Sequence, residues 1–147
     1  MAELAYSKIH EKENTGLYYL KKACGYIDRN IHETIRIPEL AAYTGINKSY
    51  LQALFSRILG CGIIEYINKK RLEEAVFLLI NSSMSITDIA FSTGYNSRQH
   101  FAHTFEKYYG TGPLSYRKLH KRQMTADTGE NQYILDGDRT SYQKLVQ

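Results

Sequence analysis

Residues 37–66 read IPELAAYTGINKSYLQALFSRILGCGIIEY, and residues 86–116 read ITDIAFSTGYNSRQHFAHTFEKYYGTGPLSY. The second stretch repeats the first after 49 to 50 positions, with nine identical pairs: Ile37/Ile86, Ala41/Ala90, Thr44/Thr93, Gly45/Gly94, Asn47/Asn96, Phe55/Phe105, Gly60/Gly110, Gly62/Gly112 and Tyr66/Tyr116. Self-similarity at a fixed period is the mark of a repeated supersecondary unit. The shared residues fall where a helix would start, stop or face a core, and the residues between them differ. Two similar modules doing one kind of job is the simplest reading.

Each module is punctuated as helix, tight turn, helix. Pro38 suits a first helical turn, where its missing N–H costs nothing, and Gly45 suits the left-handed position that ends a helix, so residues 38–44 form a short helix. Asn47 then caps a second helix with Leu51, Leu54, Phe55 and Ile58 on its buried side, stopped by Gly60. In the second copy, Ser85-Ile86-Thr87-Asp88 reads as a capping-box variant and Gly94 closes the short helix. Ser97 caps the next helix, Phe101, Phe105 and Tyr108 carry its apolar stripe, and Gly110 ends it. Tyr95 and Tyr116 are expected to seal this second core, and Tyr50 to pack likewise in the first. Pro113 opens a last helix over residues 113–120.

Outside the repeats, Leu17, Leu20, Cys24, Ile27 and Ile31 recur at spacings of three and four, one stripe of an amphipathic helix. Residues 63–80 form a longer helical pattern of about 27 Å at 1.5 Å per residue, with Ile64, Ile67, Leu72, Ala75, Val76 and Leu79 as core candidates. Residues 1–16 are polar, lack a period and end in Asn14-Thr15-Gly16, which marks them as a linker or N-terminal extension. Residues 123–147 read as a tail, either disordered or a hairpin around Asp136-Gly137. The fold class is therefore all-α: two helix-turn-helix subdomains, about 17–61 and 82–122, joined by a linker helix over 62–81.

Composition narrows the partner. The 147 residues carry a net charge of +4, but residues 17–122 hold 15 Lys and Arg against 8 Asp and Glu, while the flanks are slightly acidic. Basic charge gathered on the repeats points to a polyanion, nucleic acid ahead of membrane, since no lipidation motif or long apolar run is present. No signal sequence opens the chain and no stretch reaches the ~18 apolar residues of a membrane helix, so a cytoplasmic location is expected. Cys24 and Cys61 fit no metal or redox spacing and are read as reduced, partly buried thiols.

The exposed faces of the two second helices separate DNA reading from a plain solvated surface. The first carries Lys48, Ser49, Gln52, Ala53 and Ser56, with Arg57 at its edge; the second carries Arg98, Gln99, Ala102, His103 and Glu106. Arg matches the O6/N7 edge of guanine, Gln the N6/N7 edge of adenine, and small residues let a helix approach base edges. A solvated face would more often carry Glu/Lys pairs at spacing four. His100, His103 and Glu106 fall three apart, as metal ligands could, but Phe101 and Phe105 fix the core side and the groove claims His103, so no metal is expected. No Ser/His/Asp constellation, phosphate loop or convergent carboxylate pair appears, so no catalytic role and no cofactor is expected.

From residue 17 to residue 122 the chain resembles the DNA-binding domain of AraC-type transcription regulators. The resemblance is most specific between Ile86 and Arg117, where IxxIAxxxGY, a Phe–x3–Phe pair and GxxPxxYR fall in order. It implies a seven-helix domain that binds two successive major grooves of double-stranded DNA through helices about one turn, roughly 34 Å, apart. The residues it implies at bases are Ser49, Gln52 and Ala53 in the first unit and Arg98, Gln99 and His103 in the second. Ala53 and His103 stand where many relatives place Arg, and Glu106 where Lys is usual. Phosphate contacts are expected from Asn47, Lys48, Ser97 and Thr111, with Lys107 a weaker one. Arg117 has two readings, a DNA contact or a carbonyl or ionic contact closing the last helix. The resemblance further implies a regulator, an activator type among the expectations, with RNA polymerase a candidate partner. A small-molecule effector would act only through a separate N-terminal domain, and the isolated domain would be a monomer. A helical-repeat module that binds protein instead of DNA is the alternative.

Overall fold

Two Thr-Gly pairs set the architecture. In the computed structural model, which describes residues 2–128 of the chain, Gly45 (φ 82°) and Gly94 (φ 93°) both adopt the left-handed conformation that reverses a helix end. Gly45 N donates to Ala41 O. At Gly94 the pair of bonds from Gly94 N to Phe91 O and from Tyr95 N to Ala90 O forms a Schellman closure. The threonines before them are buried, because Thr44 Oγ1 donates to Ala41 O at 2.8 Å and Thr93 Oγ1 to Ile89 O at 2.7 Å. A hydroxyl satisfied within its own last turn can be buried without penalty.

Seven α-helices and one π-helical turn, with no strand, make up the described residues: α1 Ala2–Arg29, α2 Ile37–Thr44, α3 Lys48–Leu54 continuing into the π turn Phe55–Leu59, α4 Ile63–Asn81, α5 Ile86–Ser92, α6 Arg98–Tyr109 and α7 Pro113–Thr128. The chain divides into two compact units, and the division falls within α4, between Ile67 and Asn68. In the first unit Leu20, Ala23 and Ile27 of α1 pack with Leu40, Ala41, Leu51, Phe55, Ile63 and Ile67. In the second, Leu72, Ala75, Val76 and Leu79 of α4 pack with Ile86, Ile89, Ala90, Tyr95, Phe101 and Phe105. Each fully buried Leu, Ile, Val or Phe among them contributes about 1.5–3 kcal/mol on leaving water.

Several boundaries differ from the sequence reading. Residues 2–16, expected as a linker, are the first half of α1, and their described side chains are exposed up to Thr15. Gly16 does not stop the helix; it is buried where α1 crosses α3, and a Cβ there would lie 2.9 Å from Leu54 Cδ2. The last helix runs on to Thr128, past the expected end near His120. The hairpin or disordered tail expected around Asp136 lies outside the described residues.

The core lists shift for physical reasons. Ile58 is 40% exposed because it sits in the π turn, whose wider spacing carries it off the stripe set by Leu51, Leu54 and Phe55. Ile64 is 54% exposed, since α4 turns Ile63 and Ile67, four apart, inward instead. Leu17 is also exposed, and Ala23 takes its share of the stripe. Tyr108 is exposed. Its neighbour Tyr109 stacks on Phe105, with ring centroids 4.6 Å apart. Tyr95 and Tyr116 lie against the second core as expected, the former buried and the latter half-buried. Cys24 and Cys61 are half-buried thiols.

Candidate nucleic-acid interface

Each second helix begins at a side-chain cap. Asn47 Oδ1 accepts from Tyr50 N at 2.8 Å, and Ser97 Oγ accepts from His100 N at 3.1 Å. Both satisfy an N–H that the helix itself leaves open. The identical pair Asn47/Asn96 is therefore not an equivalent pair in space, because the turn of the second unit is one residue longer and its cap is Ser97.

Counting from the caps matches Lys48 with Arg98, Ser49 with Gln99, Gln52 with Ala102, Ala53 with His103, Ser56 with Glu106, and Arg57 with Lys107. On the inner side, Leu51, Leu54 and Phe55 match Phe101, Thr104 and Phe105, and all six are buried. At about 100° per residue the outward set spans an arc of about 180° on each helix. All of its members are exposed except Ala102, which is half-buried. The geometry thus brings Ser49, Gln52 and Ala53 to one face of α3, and Arg98, Gln99 and His103 to one face of α6. Among the described residues no hydrogen bond or ion pair engages the side chains of Ser49, Gln52, Arg98, Gln99 or His103. They are free to meet a ligand.

Of the residues expected at phosphates, Asn47, Lys48 and Lys107 are exposed, while Ser97 and Thr111 are half-buried. Asn47 accepts through Oδ1, which leaves its amide N–H groups to donate; Ser97 accepts through Oγ and keeps its hydroxyl proton to donate. Of the two readings of Arg117 the carbonyl contact is the one observed. Its Nε donates to Leu79 O at 3.0 Å and its Nη2 to Ser82 O at 3.4 Å, closing the C-terminal end of α4. His100 lays its ring edge-on to Tyr95 at 5.4 Å.

Two groupings went unread in the sequence. On α1 and α2, Lys22 and Arg29 both lie over the ring of Tyr43, and Arg29 Nη2 donates to Tyr43 Oη at 2.7 Å. On α4, Asn68 and Arg71 meet Tyr95, the residue after Gly94. The sequence marks the second only by an i, i+3 pair of polar residues, Asn68 and Arg71, on a helix whose pattern is dominated by its apolar stripe.

A family model described as a helix-turn-helix domain matches residues 40–119. The chain is similar to the melibiose operon regulatory protein of Escherichia coli (strain K12), 31% identical over 106 residues, which covers 72% of this chain and 35% of that regulator. It is similar to the crystal structure of an AraC-type DNA-binding domain-containing regulator from Chromobacterium violaceum, with 29% identity, a TM-score of 0.65, and 69% and 91% of the two chains covered. In fold alone it is similar to the DNA-binding domain of AdpA, solved in complex with a target DNA, at 21% identity and a TM-score of 0.68, covering 71% of this chain and 94% of that one.

Proposed function

We propose, because this chain belongs to the AraC-type helix-turn-helix family, that it is a sequence-specific DNA-binding transcription regulator whose α3 and α6 read two successive major grooves. The observation that carries this is the pair of capped helices, each presenting a matched outward face of uncommitted side chains. Residues 17–122 act as the binding domain. In α6, Arg98 and Gln99 read guanine and adenine edges and His103 completes the set; in α3, Ser49, Gln52 and Ala53 lie at bases. Lys48, which occupies the place of Arg98, joins Asn47, Ser97, Thr111 and Lys107 in holding phosphates. The chemistry is binding and not catalysis.

The chain spans 35% of the length of the Escherichia coli relative, so its wider role is part of the same proposal. RNA polymerase is the candidate protein partner, a small-molecule effector would act through a domain outside this chain, and the domain binds as a monomer in the cytoplasm. No helix among the described residues is long and apolar enough to cross a membrane. A protein-binding helical repeat, the alternative, would not need reading faces free of internal bonds. The test pairs two variants on a bound duplex. Arg98→Ala should cost about 1–3 kcal/mol and relax choice at one base pair, while Lys107→Ala should weaken all duplexes alike and lower the salt slope by about 1. Binding that ignores salt would contradict the proposal.

A further inference from the structure

The turn before α6 is held by contacts that the turn before α3 lacks. Tyr95, two residues ahead of the cap Ser97, is only 3% exposed. Its Oη donates to Asn68 Oδ1 at 3.1 Å. Arg71, nearly one turn further along α4, sets its guanidinium 5.8 Å from the centre of the same ring. Tyr95 also meets the first turn of α6, with its ring 5.4 Å from that of His100 and 5.3 Å from that of Phe101. One side chain therefore joins α4 to the turn of α6 that carries Arg98 and Gln99.

The surroundings strengthen this joint. Tyr95 is buried and Arg71 half-buried; burial pushes the Tyr95 hydroxyl up to about 12 and pulls Arg71 below the usual guanidinium range, so the bond to Asn68 is partly shielded from water. A hydrogen bond in such a place is stronger and more directional than one at the surface. In the first unit the residue after the glycine is Ile46, half-buried against the apolar core. A hydrocarbon contact lets a helix slide or rotate slightly; a directional hydrogen bond from a ring that a guanidinium covers resists both.

We infer that Tyr95, held by Asn68 and Arg71, is a positioning residue for base reading by α6. It fixes the rotation and advance of that helix so that Arg98 and Gln99 meet base edges in register. This rests on the proposed function of α6 as a DNA-reading helix. A reading constellation tolerates only about 0.5 Å of misplacement, so the group that supports it governs selectivity without touching DNA. Arg71 contributes by covering one face of the ring, and Asn68 by accepting the hydrogen bond of the hydroxyl.

The test uses the full chain with Tyr95→Phe, which keeps the ring and removes one oxygen, and with Asn68→Ala. Discrimination is measured as the ratio of affinities for a selected duplex and for duplexes changed at one base pair, under α6 or under α3. Tyr95→Phe should lower the ratio under α6 about fivefold, the size of one ordinary hydrogen bond, and leave the ratio under α3 unchanged. A merely structural loss would weaken every duplex alike and keep both ratios. Amide exchange of His100 and Phe101 in the absence of DNA should quicken in both variants while that of Leu51 stays constant, and the double variant should add little to either single one. An unchanged ratio under α6 overturns the inference, even where exchange quickens. A wild-type chain that discriminates nowhere overturns the reading of α6 and its positioning with it, and the exchange data then report separately on whether Tyr95 tethers the helix.

Discussion

Gly16 and Gly25 lie in the same helix, and the same substitution at each should move stability in opposite directions. Alanine in a helix interior is about 1 kcal/mol more favourable than glycine, from the smaller loss of backbone freedom alone. At Gly25 an added Cβ would meet only Arg29 Nη1, at 3.3 Å, so the end of this exposed side chain, bonded through Nη2 to Tyr43 Oη, must give by a few tenths of an ångström. Gly25→Ala should therefore keep most of the gain, about 0.5–1 kcal/mol. At Gly16 the added Cβ would lie 2.9 Å from Leu54 Cδ2, 3.3 Å from Arg57 Nη2 and 3.7 Å from Tyr50 Oη. Leu54 is fully buried and cannot swing aside, so α1 and α3 must separate. Overpacking of this kind costs about 1–3 kcal/mol, which exceeds the helical gain and leaves Gly16→Ala destabilised by up to about 2 kcal/mol. Thermal unfolding followed by circular dichroism should show Gly25→Ala melting a few degrees higher and Gly16→Ala a few degrees lower, at about 4 °C per kcal/mol. Equal increases in both variants would refute the close crossing of α1 over α3.

Arg117→Met should destabilise the chain by about 1–3 kcal/mol, because two carbonyls at the end of α4 lose their donor. Its salt slope on random duplex should stay as in the wild type; a lower slope with unchanged melting would make Arg117 a phosphate contact after all. Burial holds the phenols of Tyr95 and Tyr109 up to about 12, and that of Tyr116 above its usual range. The folded state thus favours their neutral form, so their contribution is fully present below pH 10 and is lost as pH rises from about 10 through about 12. Tyrosinate absorbance should show a late-ionising group of phenols, and melting should fall steeply in that window, less so in Tyr95→Phe. Ionisation of every tyrosine near pH 10 would contradict the burial of Tyr95.

Features written in local chemistry were legible in the sequence. Asn47 and Ser97 were identifiable as caps, and Gly45 and Gly94 as reversals, because each role depends on a few adjacent backbone groups. The outward faces of α3 and α6 followed from the same caps and from Leu51, Phe55, Phe101 and Phe105. Tertiary context hid the rest. Asn14-Thr15-Gly16 reads as a stop, yet Gly16 is needed for a close crossing that no local pattern records. Ile63 and Ile64 fit the stripe of α4 equally well by spacing, and only the first core chooses Ile63. Ile58 left the core through a π turn, for which the residues themselves carry no signature. Asn68 and Arg71 were invisible because their partner, Tyr95, is 27 residues from Asn68 along the chain.

Selection of bound duplexes from a random pool with the wild-type chain tests the central claim most directly. Two unequal helix-turn-helix units predict two enriched blocks about 10 base pairs apart, centre to centre, with the block under α6 the more sharply defined and containing guanine and adenine for Arg98 and Gln99. A pool without enrichment, or blocks whose spacing is not a whole turn of DNA, would contradict it.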